Sequence, residues 1–376
     1  MKKEVSEILK NISDEISITA PMKKVVEDSY NAVGTYLGNN LKKDIHIFAQ
    51  GSMALGTVIK PISDADEYDI DLVCLIKDGV NMTAAEIKNS IGNSLKESQR
   101  YYKQLQPEGK RCWTLDYTNF HMDILPAVPK EQNFDIECHS NIRLTHKISN
   151  CSYEDRYSDP LEYQRWFKRS ALKGSQGVAV SESRQAEIDG IPDDNVQSNL
   201  QSIIKLLKRH RDIFFEENNT EYKPISIIVT TLAAQGYKRC ETLYDELMTV
   251  LQFIGSCIIE KPYIVENPID SSENFAEKWN EDECYKNVFD EWADSLISDF
   301  SQIETSIEGL DEVSTKLATM FGDAPVKRAI ASFAENKREL REKGRLGVCS
   351  LSIGLSSGAS VKGNVKNHTF YGGKDE

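Results

Sequence analysis

One stretch, from Gln50 to Ile76, constrains the fold of this chain more than any other part of the sequence. It contains the acidic pair Asp69 and Asp71, which leads into a run of apolar, strand-forming residues. Residues two apart in a strand point to the same side, so both carboxylates are predicted on one face of a sheet. A carboxylate pair on a rigid strand makes a hard, oxygen-rich site that suits Mg²⁺.

An isolated D-x-D pair is more often the solvated start of an edge strand, but the residues upstream change that interpretation. Gly51 and Ser52 follow a strand-like run at 44–50 and precede a short helical turn. The glycine lets backbone N–H groups approach a phosphate closely, and Ser52 adds a hydroxyl donor. This order of elements predicts a metal-assisted phosphate site, in which two ions about 4 Å apart activate a hydroxyl and stabilise a leaving pyrophosphate.

A third carboxylate is predicted on another strand of the same sheet. Asp123 lies in the run 120–125, where it shares a face with His121 and opposes Met122 and Ile124. Taken alone, an acidic residue in such a strand is more often an edge-strand charge. Beside the D-x-D strand it is the expected third ligand, which bridges the metal and takes part in activating the attacking hydroxyl.

Composition and charge limit the possible functions. The 376 residues are enough for two lobes with substantial cores, and a formal charge of −14 disfavours long nucleic acid as a partner. No apolar run approaches the roughly 18 residues needed to cross a membrane, and the N-terminus lacks a signal-peptide core. The eight cysteines form no C-x-x-C pair, which favours reduced thiols. We expect a cytoplasmic protein without membrane contact.

The second half of the chain is predicted to form a helical lobe. Residues 170–194 are poor in large apolar side chains and predict a mobile loop that leads into it. In the helix predicted over 196–215, apolar residues recur at helical spacing, while Lys205 and Lys208 lie off the centre of that stripe. The two lysines are interpreted either as part of a solvated basic face or as contacts to a nucleotide in the cleft.

The next helix is predicted to begin at Pro224, because proline is favoured at the first helical position. Ser226 would then lie in the first turn, where free N–H groups and the helix dipole attract anions. Simple capping of the helix is the alternative role for this serine.

Together these features resemble the bacterial cGAS/DncV-like nucleotidyltransferases (CD-NTases), within the polymerase-β-like nucleotidyltransferase superfamily. The Gly-Ser pair and the carboxylates identify only the superfamily, whereas the KRHRD and KPIS segments are similar to the bacterial second-messenger synthetases, with the CdnD clade as the candidate. The resemblance covers residues 45–280 and rests on Gly51-Ser52, Asp69-Ile70-Asp71, Asp123, Leu206–Asp212, Pro224–Ser226, Asn267, Glu273, Asn274 and Trp279.

The resemblance implies a mixed α/β (α+β) protein of two lobes, with the nucleotide held between them. A mixed β-sheet catalytic lobe with N-terminal helices would span residues 1–180, and a helical nucleotide-binding lobe residues 181–345. A flexible tail would follow at 346–376.

The resemblance also implies a role for each candidate residue. Asp69, Asp71 and Asp123 would be catalytic and would bind two Mg²⁺ ions, for which Mn²⁺ can substitute. From the helical lobe, Lys205 and Ser226 fit the family's spacing of a lysine and a serine that contact the triphosphate, with Lys208 as the fallback. The complete nucleotide-binding set implied in this way is Gln50, Gly51, Ser52, Asp69, Asp71, Lys205, Lys208 and Ser226.

The implied activity is the synthesis of a cyclic oligonucleotide. Family members join two or three nucleoside triphosphates, with ATP expected among them, into a cyclic di- or trinucleotide that activates an effector in anti-phage defence. Regulatory protein partners are a further expectation. Two alternatives stay open: a nucleotidyltransferase with another acceptor, such as a linear oligoadenylate synthetase, and an inactive fold that senses a ligand or scaffolds a partner. The intact carboxylates argue against the second.

Overall fold

The computed structural model describes residues 2–63, 67–136, 140–149, 152–172, 197–216, 220–257, 260–305 and 310–343, with three short strands beyond them. Of the predicted loop 170–194, only residues 170–172 are described, and they end a helix. The predicted lobe boundary at residue 180 lies outside the described residues and stays a prediction.

A six-stranded mixed sheet carries the segments that were predicted to be strands. Its order is β1-β2-β4-β5-β6, β3 also pairs with β4, and β2 and β4 are parallel whereas the other pairs are antiparallel. The hairpin of β5 and β6 was not predicted. The strands are β1 (Ile45–Ala49), β2 (Tyr68–Ile76), β3 (Trp113–Asp116), β4 (Phe120–Pro129), β5 (Ile142–Ser149) and β6 (Ser152–Ser158).

Helices make up most of the remaining structure, together with a short hairpin of β7 (Glu266–Asn267) and β8 (Asp270–Asn274). The helices are α1 (Lys2–Glu15), α2 (Ala20–Leu41), α3 (Gly51–Ala54), α4 (Ala84–Glu97), α5 (Gln99–Gln104), α6 (Pro160–Leu172), α7 (Asn199–Phe214), α8 (Ser226–Gly236), α9 (Leu243–Ser256), α10 (Glu277–Glu281), α11 (Cys284–Thr305), α12 (Leu310–Phe321) and α13 (Asp323–Glu342).

Strand alternation divides the sheet into two faces with different environments. Ile70 and Leu72 of β2 lie on one face and pack with apolar residues of α2 and α4. Val73 and Leu75 lie on the other face, in a smaller cluster with Phe48 and residues of β4 and β5. The D-x-D carboxylates share this second face, where the apolar cover gives way to the cleft.

The helical lobe has a large core of its own, and α1 belongs to it. We expected the N-terminal helices to be part of the catalytic lobe, and α2 does pack on the sheet. The apolar side of α1, with Ile8, Leu9 and Ile12, is instead buried among residues of α7, α9 and α13. An amphipathic pattern predicts that a helix has a buried face but not which partner covers it.

The predicted flexible tail, residues 346–376, is described only in part. Three short strands, β9 (Gly347–Cys349), β10 (Leu355–Ser356) and β11 (Val361–Asn364), pair as an antiparallel sheet in the order β10-β9-β11. Valine and leucine lie there between turn-forming glycine and serine, and the flexibility expected of the tail stays a prediction. The remainder of the tail lies outside the described residues.

Among the helices in the described ranges, none combines the length and apolar character that a membrane span requires.

Candidate active site

The parallel pairing of β2 and β4 brings the three predicted carboxylates together. Asp71 is directly opposite Asp123 in the register, and Asp69 is opposite His121. All of these side chains point to the same face, because they are separated by two residues along their strands. Asp69 is exposed, whereas Asp71 and Asp123 are half-buried at the edge of the cleft. Asp69, Asp71 and Asp123 therefore share one face of the sheet, as the strand pattern predicts.

Crowding of these carboxylates changes their acidity. Burial, reinforced by repulsion from Asp123 and Asp69, raises the pKa of Asp71 to about 7. The pKa of Asp69 is also raised, first by desolvation of its carboxyl group and then by repulsion from Asp123. Carboxylates that repel one another at a cleft are a donor set that a bound divalent cation would stabilise. The residues present therefore fit the Mg²⁺ or Mn²⁺ that the fold implies.

The Gly-Ser turn packs directly against Asp71. Gly51 has a positive φ of 59°, and a Cβ there would lie 2.6 Å from Asp71 Oδ2. Glycine is thus required both for the backbone conformation and for the close approach. The Gln50 amide donates to the Asp71 carbonyl at 3.0 Å, which joins the turn to β2. Ser52 lies in the first turn of the four-residue α3 and is half-buried.

A second row of polar residues lies beside the carboxylates on the same face. The two nitrogens of His121 face different carboxylates: Nε2 is 2.5 Å from Glu67 Oε2, and Nδ1 is 3.6 Å from Asp116 Oδ1. These three groups offer ligand atoms within 4.8 Å of one another. Glu67 and Asp116 were not selected from the sequence. Each lies two residues along the chain from another residue of this face, and that spacing is the signal that could have identified them.

Lys208 and Lys205 of α7 have different environments. The Lys208 ammonium donates to the Thr57 carbonyl at 2.9 Å and interacts electrostatically with Asp71. Burial lowers the pKa of Lys208 to about 7. Lys205 instead donates to Ser17 Oγ at 2.9 Å and to Gln197 Oε1 at 3.0 Å, toward α1.

The preferred assignment of Lys205 to the triphosphate stays a prediction, and the electrostatic interaction of Lys208 with Asp71 favours the fallback. The two lysines are three residues apart, so they lie on neighbouring but distinct parts of the helix surface. Helical spacing alone could not decide which of them faces the cleft.

Other polar residues of α7 hold the loop that joins the two halves of the site, residues 55–61. Gln201 Nε2 donates to the Leu55 carbonyl at 2.9 Å, and Arg209 Nη2 donates to the Lys60 carbonyl at 2.6 Å. Arg209 is buried, with 5% of its surface exposed. The basic side of α7 is therefore not a solvated face. Its side chains hold the backbone of the loop 55–61, whether or not some of them also bind phosphate.

Ser226 is the first residue of α8, and its side chain is held from α7. Arg211 Nη1 donates to Ser226 Oγ at 3.1 Å and to the Pro224 carbonyl at 2.9 Å. The helix begins at Ser226, with Ile225 as its N-cap, so the start predicted at Pro224 was two residues early. Lys223 was not selected from the sequence, yet it interacts electrostatically with Asp69 and lies 3.5 Å from Asp212.

Comparisons with known proteins agree with this architecture. The family model for the Second Messenger Oligonucleotide or Dinucleotide Synthetase domain (SMODS) matches residues 3–170. A c-di-GMP synthase of Roseivirga ehrenbergii is 27% identical over 99% of this chain and 98% of its own length. The cyclic dinucleotide synthase CdnG of Bradyrhizobium diazoefficiens is 23% identical over 87% of this chain and 82% of its own length.

Solved structures share the fold at low sequence identity. The CdnG structure from Bradyrhizobium diazoefficiens, in complex with GTP, has a TM-score of 0.65 and 18% identity, over 88% of this chain and 99% of that one. The Vibrio cholerae cyclic AMP-GMP synthase DncV, bound to a nonhydrolyzable GTP, has a TM-score of 0.55 and 14% identity, over 86% of both chains. The family model, the near full-length relatives and the fold agree, and they make this chain similar to the bacterial CD-NTases, a family of nucleotidyltransferases.

Proposed function

We propose that this enzyme joins two nucleoside triphosphates into a cyclic dinucleotide and releases pyrophosphate at each step. The observation that carries this proposal is the alignment of Asp69, Asp71 and Asp123 on one sheet face, opposite the buried ammonium of Lys208. A negative cluster facing a cation across a cleft is suited to a metal-bound triphosphate, which carries charges of both signs.

In this proposal, the residues of the chain bind and orient the two reacting groups. Asp69, Asp71 and Asp123 would hold the cations, which when bound neutralise the triphosphate and stabilise charge on the entering and leaving oxygens. The backbone of the turn at 50–52 and the Lys208 ammonium hold the phosphate tail. Asp123 lies beside Asp71 in the register and takes up the proton of the attacking ribose hydroxyl.

Guanine nucleotides are the first candidate substrates. The relative that matches this chain along nearly its full length is named a c-di-GMP synthase. The expectation that ATP is among the substrates stays a prediction, as does the assignment to the CdnD clade. Base choice depends on a few hydrogen bonds to base edges, so one set of labelled nucleotides can decide it.

The biological role that we propose is production of a signal nucleotide for an effector protein. The family resemblance supports this role in anti-phage defence, and it also supports the use of regulatory protein partners. A cyclic product has no terminal phosphate and resists phosphatases, which is the property that a diffusible signal requires.

The proposal is tested by incubating the protein with Mg²⁺ or Mn²⁺ and each combination of labelled ATP, GTP, CTP and UTP. The products are treated with phosphatase and identified by mass. A phosphatase-resistant dinucleotide supports the proposal and identifies the bases. Products that lose terminal phosphates would instead indicate a linear synthetase. An Asp71→Asn variant serves as the inactive control, and Asp28→Asn, a change at an exposed ion pair on α2, as the matched active control.

A further inference from the structure

A threonine on β3 contacts one of the proposed catalytic carboxylates. Thr114 is directly opposite Asp123 in the antiparallel pairing of β3 and β4. Its hydroxyl donates to Asp123 Oδ1 at 2.5 Å. An ionised carboxylate only accepts hydrogen bonds, so the threonine proton must point at Asp123. This bond commits one of the two carboxylate oxygens and leaves Oδ2 for other partners.

Thr114 cannot easily move away, because the start of β3 is fixed from α4. The buried Lys88 ammonium donates to the carbonyls of Gly109 and Cys112, each at 2.9 Å, and so holds the segment before the strand. Trp113 Nε1 donates back to the Lys88 carbonyl at 2.9 Å. The Trp113 ring also packs on Gly92 of α4 so closely that a Cβ there would collide with it. The donor at position 114 is thus fixed in space.

A fixed donor matters for Asp123 because an aspartate carboxyl group rotates easily. The terminal torsion of aspartate is broad and has no sharp minimum of its own. Asp123 is only half-buried, and its partner across the parallel register, Asp71, repels it. The Thr114 hydroxyl opposes this repulsion, together with the Cys112 thiol, which also hydrogen-bonds to the Asp123 carboxyl group.

We infer that Thr114 is a positioning residue for nucleotidyl transfer, which acts by fixing the orientation of Asp123. Its hydroxyl holds Oδ1, which leaves Oδ2 to contact the attacking hydroxyl or a cation when these are bound. This inference rests on the proposed function. The threonine contacts neither substrate nor cation, so its loss changes the rate of the chemical step more than the binding of nucleotide.

The inference is tested with Thr114→Val, which keeps the shape of the side chain and removes the donor. We expect kcat to fall by about 10- to 100-fold, as for a small misplacement of a reacting group, with KM changed by less than about twofold. Thr114→Ser restores the hydroxyl and should return kcat to within about threefold of the wild type. The control is Thr145→Val, because Thr145 on β5 is fully buried and its hydroxyl has no partner among the described residues.

A second measurement does not depend on any product. Mn²⁺ binding to the full chain, followed by electron paramagnetic resonance, should weaken in Thr114→Val by about three- to tenfold, because a misoriented Asp123 is a poorer ligand. In an Asp123→Asn background the same change should have no further effect, since Thr114 acts only through that carboxylate. Equal weakening in both backgrounds would overturn the inference.

The remaining outcomes separate the inference from the proposed function. A wild-type protein that makes no nucleotide product contradicts the proposed function. Mn²⁺ binding by Thr114→Val in the wild-type and Asp123→Asn backgrounds still shows whether Thr114 acts through Asp123. A Thr114→Val variant with wild-type kcat overturns the positioning role and leaves the function standing. A Thr114→Ser variant as slow as Thr114→Val would also overturn it, because packing and not the hydroxyl would then be responsible.

Discussion

The acidic face of the sheet and the basic side of α7 interact through Asp71 and Lys208, but the charged groups of the two sides have different partners. On the sheet, Asp71 lies directly opposite Asp123, and burial and repulsion raise its pKa to about 7 despite the attraction of Lys208. On α7, Lys208 and Arg209 are buried and donate to backbone carbonyls of the loop 55–61. The acidic side keeps its repulsion, whereas the basic side donates to backbone carbonyls, although burial still lowers the pKa of Lys208 to about 7.

This difference indicates a division of labour. Repulsion among carboxylates costs stability in the metal-free protein, and it is relieved when cations bind. The cations of α7 mainly fix the loop that joins the Gly-Ser turn to β2. Lys208 belongs to both groups, because it holds the loop and also faces Asp71. Substitutions on the sheet should therefore remove activity and spare the fold, while those on α7 should affect both.

The largest effect is expected for Asp71→Asn, and Asp69→Asn should behave similarly. Loss of a charge that holds the cations should lower turnover by about 1,000-fold or more, a size typical of residues that act directly in catalysis. The fold should be retained, because both side chains face the cleft. Product formation and thermal unfolding measure the two effects. Wild-type turnover in either variant would show that the cations are held elsewhere.

A pair of substitutions on α7 sharpens the comparison. Lys208→Met should lower kcat/KM by about 10- to 100-fold, the size expected for losing a hydrogen bond from a charged group to phosphate. Lys205→Met should leave kcat/KM within about threefold and lower the free energy of unfolding by about 1–2 kcal/mol, since its ammonium bonds to Ser17 and Gln197.

The reverse pattern would restore Lys205 as the triphosphate ligand. It would also mean that the ammonium of Lys205 leaves its bonds to α1 when nucleotide binds. Steady-state kinetics and urea unfolding of the same two preparations separate these outcomes.

How much of the site could be predicted depends on the kind of element that carries it. A strand has a period of two, so the shared face of Asp69 and Asp71 followed from the sequence alone. The sequence placed Asp123 on another strand of the same sheet, but the pairing of β2 with β4 that sets it opposite Asp71 was not predicted, because register depends on contacts distant in sequence. Thr114 was missed for the same reason, since only the register places it beside Asp123.

The helices were harder to assign than the strands. The pattern predicted α7 and its buried stripe, but Lys205 and Lys208 are close on the helix surface, and only packing decides which faces the cleft. The buried role of Arg209 could not be predicted, because its partners are backbone carbonyls, which leave no signal in the sequence. The partner of α1 was likewise invisible before the fold was known.

The pH dependence of stability tests whether the charged forms of Asp71 and Lys208 both destabilise the folded protein. Between about pH 4 and 7, Asp71 is ionised in the unfolded chain but protonated in the folded metal-free protein. The folded state then binds more protons, so the free energy of unfolding falls as pH rises. Between about pH 7 and 10.5, Lys208 is charged only in the unfolded chain, and stability rises with pH.

The contribution of these two groups therefore has its minimum near neutral pH. Each should amount to at most about 4–5 kcal/mol, the size of a shift of roughly three pKa units. Urea unfolding of the metal-free protein from pH 5 to 9 measures it, with Asp71→Asn and Lys208→Met as references. Asp71→Asn should remove the fall on the acidic side, and Lys208→Met the rise on the alkaline side. Unchanged pH profiles would mean that neither group carries the charge cost.

The smallest effect is expected for Lys223→Ala. Lys223 lies beside Asp212 at the start of α8 and is exposed over 42% of its side chain, so solvent screens its attraction for a nucleotide. KM for the nucleotide should rise by about threefold at low salt, and the difference should shrink as salt is added. Lys238→Ala, at the other end of α8, is the matched control and should change neither value.

An effect of Lys223→Ala as large as that of Lys208→Met would reverse the comparison between the two faces. The exposed lysine at the rim would then hold the triphosphate, and the buried lysine would serve only the loop. Salt separates the two cases independently of size, because a buried contact is screened much less than an exposed one. A salt-independent loss in Lys223→Ala would mean that this side chain becomes buried against the substrate when the cleft is filled.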